Sequence, residues 1–176
     1  MTHPIFARLD DQLRLVEREL ENLRTSDAKS RELKTSHKAL YDEWTHRSAT
    51  AEGVRSVYSG LEKIMEAIAN EVDQYDPPHS DNWHEKLIDQ LGVNIDGVRG
   101  PLLSPGTRAQ LHELRKFRHV LHHNYAQSLE TAKVFENYDR LKKAVPAFKR
   151  DYNRLAKALQ APQTASRGPV SKRNGK

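Results

Sequence analysis

Apolar residues recur at alternating steps of three and four along most of this chain, which is the spacing of one face of an α-helix. Three long stretches keep this spacing. The first comprises Phe6, Leu9, Leu13, Val16, Leu20 and Leu23. The second comprises Ala51, Val54, Tyr58, Leu61, Met65, Ile68, Val72 and Tyr75, and the third comprises Val134, Tyr138, Leu141, Val145, Phe148, Tyr152, Leu155 and Leu159. No stretch alternates as β-strands do, so we predict an all-α fold, an antiparallel helical bundle with an N-terminal coiled-coil helix extension.

Capping residues and prolines predict where the helices begin and end. The Thr-Ser-Asp sequence at 25–27 predicts a stop and a new N-cap after the first stretch. A short helix is predicted over about 83–91, and Ser104 followed by Pro105 predicts a further helix start. Pro146 is expected to kink or divide the last helix, because proline lacks the backbone N–H.

Two glycines, Gly53 and Gly60, lie inside the second predicted helix. Each costs about 1 kcal/mol of helix stability relative to alanine. Their spacing has two interpretations, which the sequence leaves open. Either the small residues let another helix approach closely, or the helix simply tolerates them.

The basic character of the chain comes mainly from its C-terminal end. The net charge is +5 and the isoelectric point is about 9.4. Residues 161–176 contain four basic residues and no acid, and their removal leaves a net charge of about +1: Arg167, Lys172, Arg173 and Lys176. We expect this segment to be a disordered basic tail. The overall charge therefore gives no argument for a nucleic-acid groove in the folded part.

The composition also excludes several classes of site. The chain has no cysteine, so disulfides and thiolate metal sites are excluded. No apolar run approaches the roughly 18 residues of a membrane-spanning helix. These features favour a soluble cytoplasmic protein.

Two polar residues occupy positions of an apolar series in the helix that follows Ser104. Leu111, Leu114 and Leu121 keep the three-and-four spacing, but Arg118 and Tyr125 fill the intervening positions. Burying an unpaired guanidinium is costly, so Arg118 requires an acid, a partner subunit or an anionic ligand. A structural ion pair with an acid of the long second helix is as acceptable as a binding role. Tyr125 fits the core, a stacking surface for substrate or a site of modification.

Three histidines follow within five residues: His119, His122 and His123. His119 and His123 are four residues apart and fit a metal site on one helix face, but no carboxylate lies near them in a recognised ligand spacing. Histidine is also favoured at a helix end by the helix dipole. A catalytic role is the third interpretation.

This segment resembles the signature of the HEPN superfamily, an arginine followed after four to six residues by a histidine. It fits the narrower HepT-like pattern Arg-x4-His-x-Tyr at Arg118, His123 and Tyr125. Three further segments of the sequence also resemble HepT-like domains: Val57-Tyr58-Ser59-Gly60-Leu61-Glu62, Trp83-His84 and Phe117-Arg118-His119-Val120. The similarity covers roughly residues 46–160, between an extension at 1–45 and the tail at 161–176. Arg115 and His122 also satisfy the looser spacing, but the downstream tyrosine favours Arg118 with His123.

The resemblance implies a HEPN-like bundle and a metal-independent endoribonuclease toxin. Arg118 and His123 are then catalytic, His119 and His122 are accessory, and no metal or cofactor is expected. The expected partners are an RNA substrate, with tRNA as one candidate, and a nucleotidyltransferase antitoxin that adenylylates Tyr125. Acid and base catalysis together call for two histidines, which a homodimer with one shared cleft provides. The alternatives are a weakly active or inactive HEPN module that binds a nucleotidyltransferase or nucleotide, and a coiled-coil scaffold.

The proposed pair poses a geometric problem. Residues five apart are about 140° apart around an ideal helix, so Arg118 and His123 would not share a face. We therefore predict that the helix ends or kinks around residues 122–124.

Overall fold

Each apolar series of the sequence forms a long helix in the computed structural model of the chain. The structure describes residues 4–75, 82–123 and 129–160, without the side chains of residues 4 and 123. In chain order the elements are α1 (Pro4–Ser36), a 3₁₀ turn (Lys38–Leu40), α2 (Glu43–Glu71), α3 (Trp83–Leu91), α4 (Pro105–His123) and α5 (Thr131–Gln160). The described residues contain no β-strand, which confirms the predicted all-α bundle. The tail at 161–176 lies outside the described residues.

Helices α1 and α2 run antiparallel and pack closely together. Val16 faces Gly60 and Leu23 faces Gly53, so numbers rise along one helix as they fall along the other. A Cβ at Gly60 would lie 2.5 Å from Val16 Cγ2, and one at Gly53 would lie 2.6 Å from Leu23 Cδ1. Close approach is therefore the correct interpretation of the two glycines.

The apolar face of α1 is part of the main core. Every residue of the first series is buried, and they belong to one cluster with apolar residues of α2, α3, α4 and α5. The predicted stop at 25–27 was wrong, because α1 continues to Ser36. Asp27 does not cap a helix: its carboxylate accepts from Arg31 Nε at 2.9 Å and lies 2.9 Å from His46 Nε2 of α2. The contact with His46 joins α1 to α2 instead.

Helix α5 is continuous, so of the two effects predicted for Pro146, a kink or a division, the division was wrong. Pro146 lies inside the helix on its exposed side. The carbonyl that loses its usual N–H partner there is on the solvent side, where the loss costs least. The opposite face of α5 packs on the core through Tyr138, Phe148 and Tyr152.

The start of α4 is fixed as the sequence predicted. Ser104 Oγ accepts the N–H of Thr107 at 3.4 Å, and α4 begins at Pro105. The Ser104 N–H in turn donates to Asp151 Oδ2 of α5 at 2.9 Å. The short helix α3 also occupies the predicted range, so both elements that flank the candidate site were correctly placed.

The loop between α3 and α4 is anchored by a buried ion pair. Arg99 donates to both carboxylate oxygens of Asp73, at 2.6 and 2.5 Å, and both side chains are fully covered. The guanidinium also donates to the carbonyls of Gln90, Val93 and Gly100. This contact ties the end of α2 to the α3–α4 loop. No helix in the described ranges is long and apolar enough to cross a membrane.

Candidate functional site

The guanidinium of Arg118 lies where α2, α3 and α4 meet. Its Nη1 donates to His84 Nε2 at 3.1 Å, and its Nε lies 3.6 Å from Glu62 Oε2. The side chain is 21% exposed, so part of it faces solvent. The acid required by an arginine in an apolar series is therefore Glu62, which belongs to the long second helix.

Glu62 is a buried carboxylate that contacts both other members of the cluster. Its Oε1 lies 2.7 Å from His84 Nδ1, on the opposite side of the ring from Arg118. Burial raises the pKa of Glu62 to about 7, although the charge of Arg118 and the Tyr58 hydroxyl both lower it, and Glu66 raises it further. The carboxylate is therefore incompletely ionised near neutral pH.

One turn before Glu62, Tyr58 closes the inner side of the cluster. Burial raises the pKa of its hydroxyl, and the charge of Glu62 acts in the same direction. Tyr58 is consequently neutral at any ordinary pH, and its hydroxyl favours the charged form of the Glu62 carboxylate.

His84 is the second residue of α3 and stands edge-on to Trp83, with ring centroids 4.5 Å apart. Its side chain is 31% exposed. Arg115 precedes Arg118 by one turn of α4. Its Nη2 lies 3.2 Å from Oε2 of Glu85, and Glu85 directly follows His84 in α3. A second ion pair thus holds α3 against α4 beside the cluster.

Two of the histidines that the sequence predicted for the site lie on the exposed surface of α4. His119 and His122 are both exposed, and His122 lines a pocket of about 280 Å³ between α2 and α4, with Ala51, Arg55, Leu121 and Leu129. His123 ends α4, but its side chain lies outside the described residues. Tyr125 and the predicted helix break around residues 122–124 fall at or beyond the same limit.

The structure thus brings Arg118 together with two residues that the motif did not single out. Glu62 and His84 lie in the segments that resemble HepT-like domains, yet no spacing rule connects positions 62, 84 and 118. The three come from three different helices, so only the packing of the bundle joins them. In the ranges that the structure describes, no group of three or more His, Cys, Asp or Glu residues is arranged to hold a metal ion.

Comparison with known proteins identifies the family. The family model described as HepT-like protein matches residues 49–159. A search of curated proteins and a search of solved structures each gave no match. The matched range begins in the first turns of α2, ends in the last turn of α5 and contains Glu62, His84 and Arg118. The chain therefore belongs to the HepT-like family, and residues 49–159 form its HEPN-type domain.

Proposed function

We propose that this chain is a metal-independent endoribonuclease toxin of a HEPN/nucleotidyltransferase toxin–antitoxin system. In this proposal Arg118 and His123 act at a cleft shared by two protomers. The observation that carries it is the setting of Arg118, whose side chain is 21% exposed and whose guanidinium contacts Glu62 and His84. The planar fork of guanidinium donors fits two phosphate oxygens once it turns from these partners to a ligand.

The charge of the cluster supports an anionic ligand. Glu62 is buried, its pKa is raised to about 7, and its nearest atom to Arg118 Nε is 3.6 Å away. The carboxylate therefore compensates the guanidinium only in part near neutral pH. Arg118 keeps positive charge that a phosphate can neutralise, which a tight, fully ionised pair would not leave.

The chemistry requires three things of the site. A base removes the proton of a ribose 2′-OH, a cation stabilises the charge that develops on the phosphate, and an acid protonates the leaving 5′-oxygen. Arg118 is suited to the second role. His123 takes a proton-transfer role on the strength of the motif, with His119 and His122 as accessory groups on the adjacent surface of α4.

The cleavage assay uses purified protein, labelled tRNA and excess EDTA. We expect cleavage by the wild type and its loss in His123→Ala. His112→Ala is the matched control, because His112 also lies on α4 and contacts Asp89 of α3 at 3.1 Å, away from Arg118. Equal cleavage by wild type and His123→Ala contradicts the assignment. Light scattering of the same samples tests the dimer, since a monomer has no shared cleft.

The proposed partner is a nucleotidyltransferase that adenylylates Tyr125. Incubation with the cognate enzyme and ATP is expected to increase the mass of the peptide that contains Tyr125 and to abolish cleavage. Tyr125→Phe is expected to remain unmodified. Modification confined to another residue removes this part of the proposal.

A HEPN module that binds a nucleotidyltransferase or nucleotide without cleaving RNA is the second candidate. This candidate is favoured by the contacts of Arg118 with His84 and Glu62, because an arginine that already has two partners within the chain has a structural role without any substrate. The two functions separate in the EDTA assay. A folded dimer that binds its partner but leaves tRNA intact at every concentration supports the module.

A further inference from the structure

His84 stands between a carboxylate and the arginine of the motif. Its Nδ1 lies 2.7 Å from Glu62 Oε1, and its Nε2 lies 3.1 Å from Arg118 Nη1. An imidazole with a carboxylate on one nitrogen and a reaction site at the other is the arrangement that proton-transfer histidines use. The side chain is 31% exposed, so solvent and ligands reach it from outside the bundle.

We propose that His84 is the general base of this site, oriented by Glu62, and that it removes the proton of the ribose 2′-OH. The inference rests on the proposed ribonuclease function. It assigns the base to α3 of the same protomer, in addition to the motif histidine at the end of α4.

The contact with Arg118 fixes which nitrogen of His84 carries the proton. A guanidinium has donors only, so Nε2 must accept and must present its lone pair. The proton of the neutral ring is then on Nδ1, which lies 2.7 Å from Glu62 Oε1 without being aligned with it as a hydrogen bond. This is the tautomer that a base needs, with the lone pair directed to the side where Arg118 would hold the phosphate.

The proton transfers balance in a single step. As Arg118 turns to the phosphate, His84 Nε2 accepts the proton of the 2′-OH, and the 2′-oxygen attacks the phosphorus. The bond from phosphorus to the 5′-oxygen breaks, and the leaving oxygen takes a proton from the His123 imidazolium. The products are a 2′,3′-cyclic phosphate and a 5′-hydroxyl, with His84 protonated and His123 neutral. Water then restores both protonation states.

The surroundings of Glu62 suit it to stabilise the imidazolium that forms. The groups that face it are Tyr58 and Glu66 from its own helix, Arg118 from α4, and His84 from α3. A carboxylate 2.7 Å from Nδ1 favours the protonated ring once Arg118 has moved onto the phosphate. Glu62 therefore acts through His84 as a positioning residue.

The test measures RNA cleavage in EDTA as a function of pH. His84→Ala is expected to lower kcat by about 10²–10⁴-fold and to flatten the acidic limb of the pH profile. Added imidazole is expected to restore part of the rate. His112→Ala, which breaks a different α3–α4 contact, is expected to keep the wild-type rate and profile. Circular dichroism confirms that each variant is folded.

Glu62→Gln provides a second readout that a merely structural role would not give. Removal of the carboxylate lowers the pKa of the neighbouring imidazole, so the acidic limb is expected to move to lower pH. If the acidic limb of the pH profile is unchanged in Glu62→Gln, or if His84→Ala keeps the wild-type rate, His84 is not the general base. If the wild type itself leaves RNA intact, the ribonuclease proposal fails and this inference fails with it. If only His123→Ala loses activity, the ribonuclease proposal stands and the base comes from elsewhere, as from the partner protomer.

Discussion

Two arginine–carboxylate contacts join α2 to later parts of the chain, and they are built differently. Arg99 and Asp73 form a two-pronged pair at 2.6 and 2.5 Å, with both side chains fully covered and three carbonyls completing the guanidinium. Arg118 reaches Glu62 only at 3.6 Å, shares that carboxylate with His84 and is 21% exposed. The first arginine has its donors satisfied within the fold. The second has a buried Nε that finds no hydrogen-bond acceptor among the described residues.

The difference separates a structural role from a binding role, which the sequence alone could not do. A buried pair is retained when every donor and acceptor is matched, because an unmatched charge is costly in a low-dielectric interior. Arg99 meets that condition through backbone carbonyls of α3 and of its own loop. The carboxylate beside Arg118 instead has a raised pKa, which shows that burial outweighs its attraction to the guanidinium. Four substitutions test this contrast.

The largest loss of stability is expected for Arg99→Ala. It leaves the fully covered Asp73 carboxylate without a cation, so the free energy of unfolding should decrease by about 3–5 kcal/mol. Urea denaturation at pH 7 measures it. Arg99→Lys, which keeps the charge but not the fork, should recover only part of the loss. If Arg99→Ala costs less than about 1 kcal/mol, the Arg99–Asp73 pair contributes no more than an exposed ion pair. The contrast with Arg118 and Glu62 then disappears.

Arg118→Ala is expected to affect cleavage far more than stability. Glu62 can take up a proton when its neighbour is lost, so the free energy of unfolding should decrease by only about 1 kcal/mol at pH 7. Cleavage of RNA should decrease by about 10²–10³-fold, because a phosphate-stabilising donor is missing. The same preparation serves for both measurements. A stability loss as large as that of Arg99→Ala, with cleavage intact, would make Arg118 a structural residue.

The sequence predicted the helices well because their signals are local. The apolar series, the start of α4 at Pro105 and the range of α3 all follow from spacing and capping within a few residues. The stop predicted at 25–27 failed for the opposite reason. Asp27 is a good cap by its neighbours, but its partner is His46, which only the fold brings to it.

The candidate site could be predicted only in part, again because of distance along the chain. Because Arg118 fills a position of an apolar series, the sequence predicted that a compensating group must contact its guanidinium. An acid of the second long helix was one of the possibilities. The spacing did not identify Glu62 among the acids of that helix, and it gave no role to His84. Nor did it indicate that Arg99 would pair with Asp73, since that contact depends on the course of the α3–α4 loop.

The third substitution, Glu62→Gln, tests the raised pKa. The folded protein holds the Glu62 proton up to a pKa of about 7, whereas the ordinary value is 4.5. Between these pH values the folded state binds more protons than the unfolded state, so this group makes stability decrease as pH rises. Relative to wild type, Glu62→Gln should gain about 1–3 kcal/mol of unfolding free energy between pH 4.5 and pH 8.

Glu113 of α4 provides a control, because its pKa is shifted in the direction opposite to that of Glu62. A hydrogen bond from Lys116 lowers the pKa of Glu113, so its contribution is present above the ordinary value and is lost as pH falls. Glu113→Gln should therefore lose stability relative to wild type at neutral pH and approach it in acid. If both variants follow wild type in parallel across the range, Glu62 titrates normally and Arg118 is fully compensated.

The smallest effect is expected for Lys116→Gln, which breaks an exposed pair. Lys116 Nζ lies 2.7 Å from Glu113 Oε1, closer than Arg118 lies to Glu62, yet the two side chains are 61% and 44% exposed. The loss should be only about 0.2–0.5 kcal/mol and should disappear in high salt, because water and ions screen the attraction. Urea denaturation at low and high salt measures it. If this variant costs as much as Arg118→Ala, distance rather than burial ranks the three pairs, and the partial exposure of Arg118 no longer distinguishes it as a phosphate-binding group.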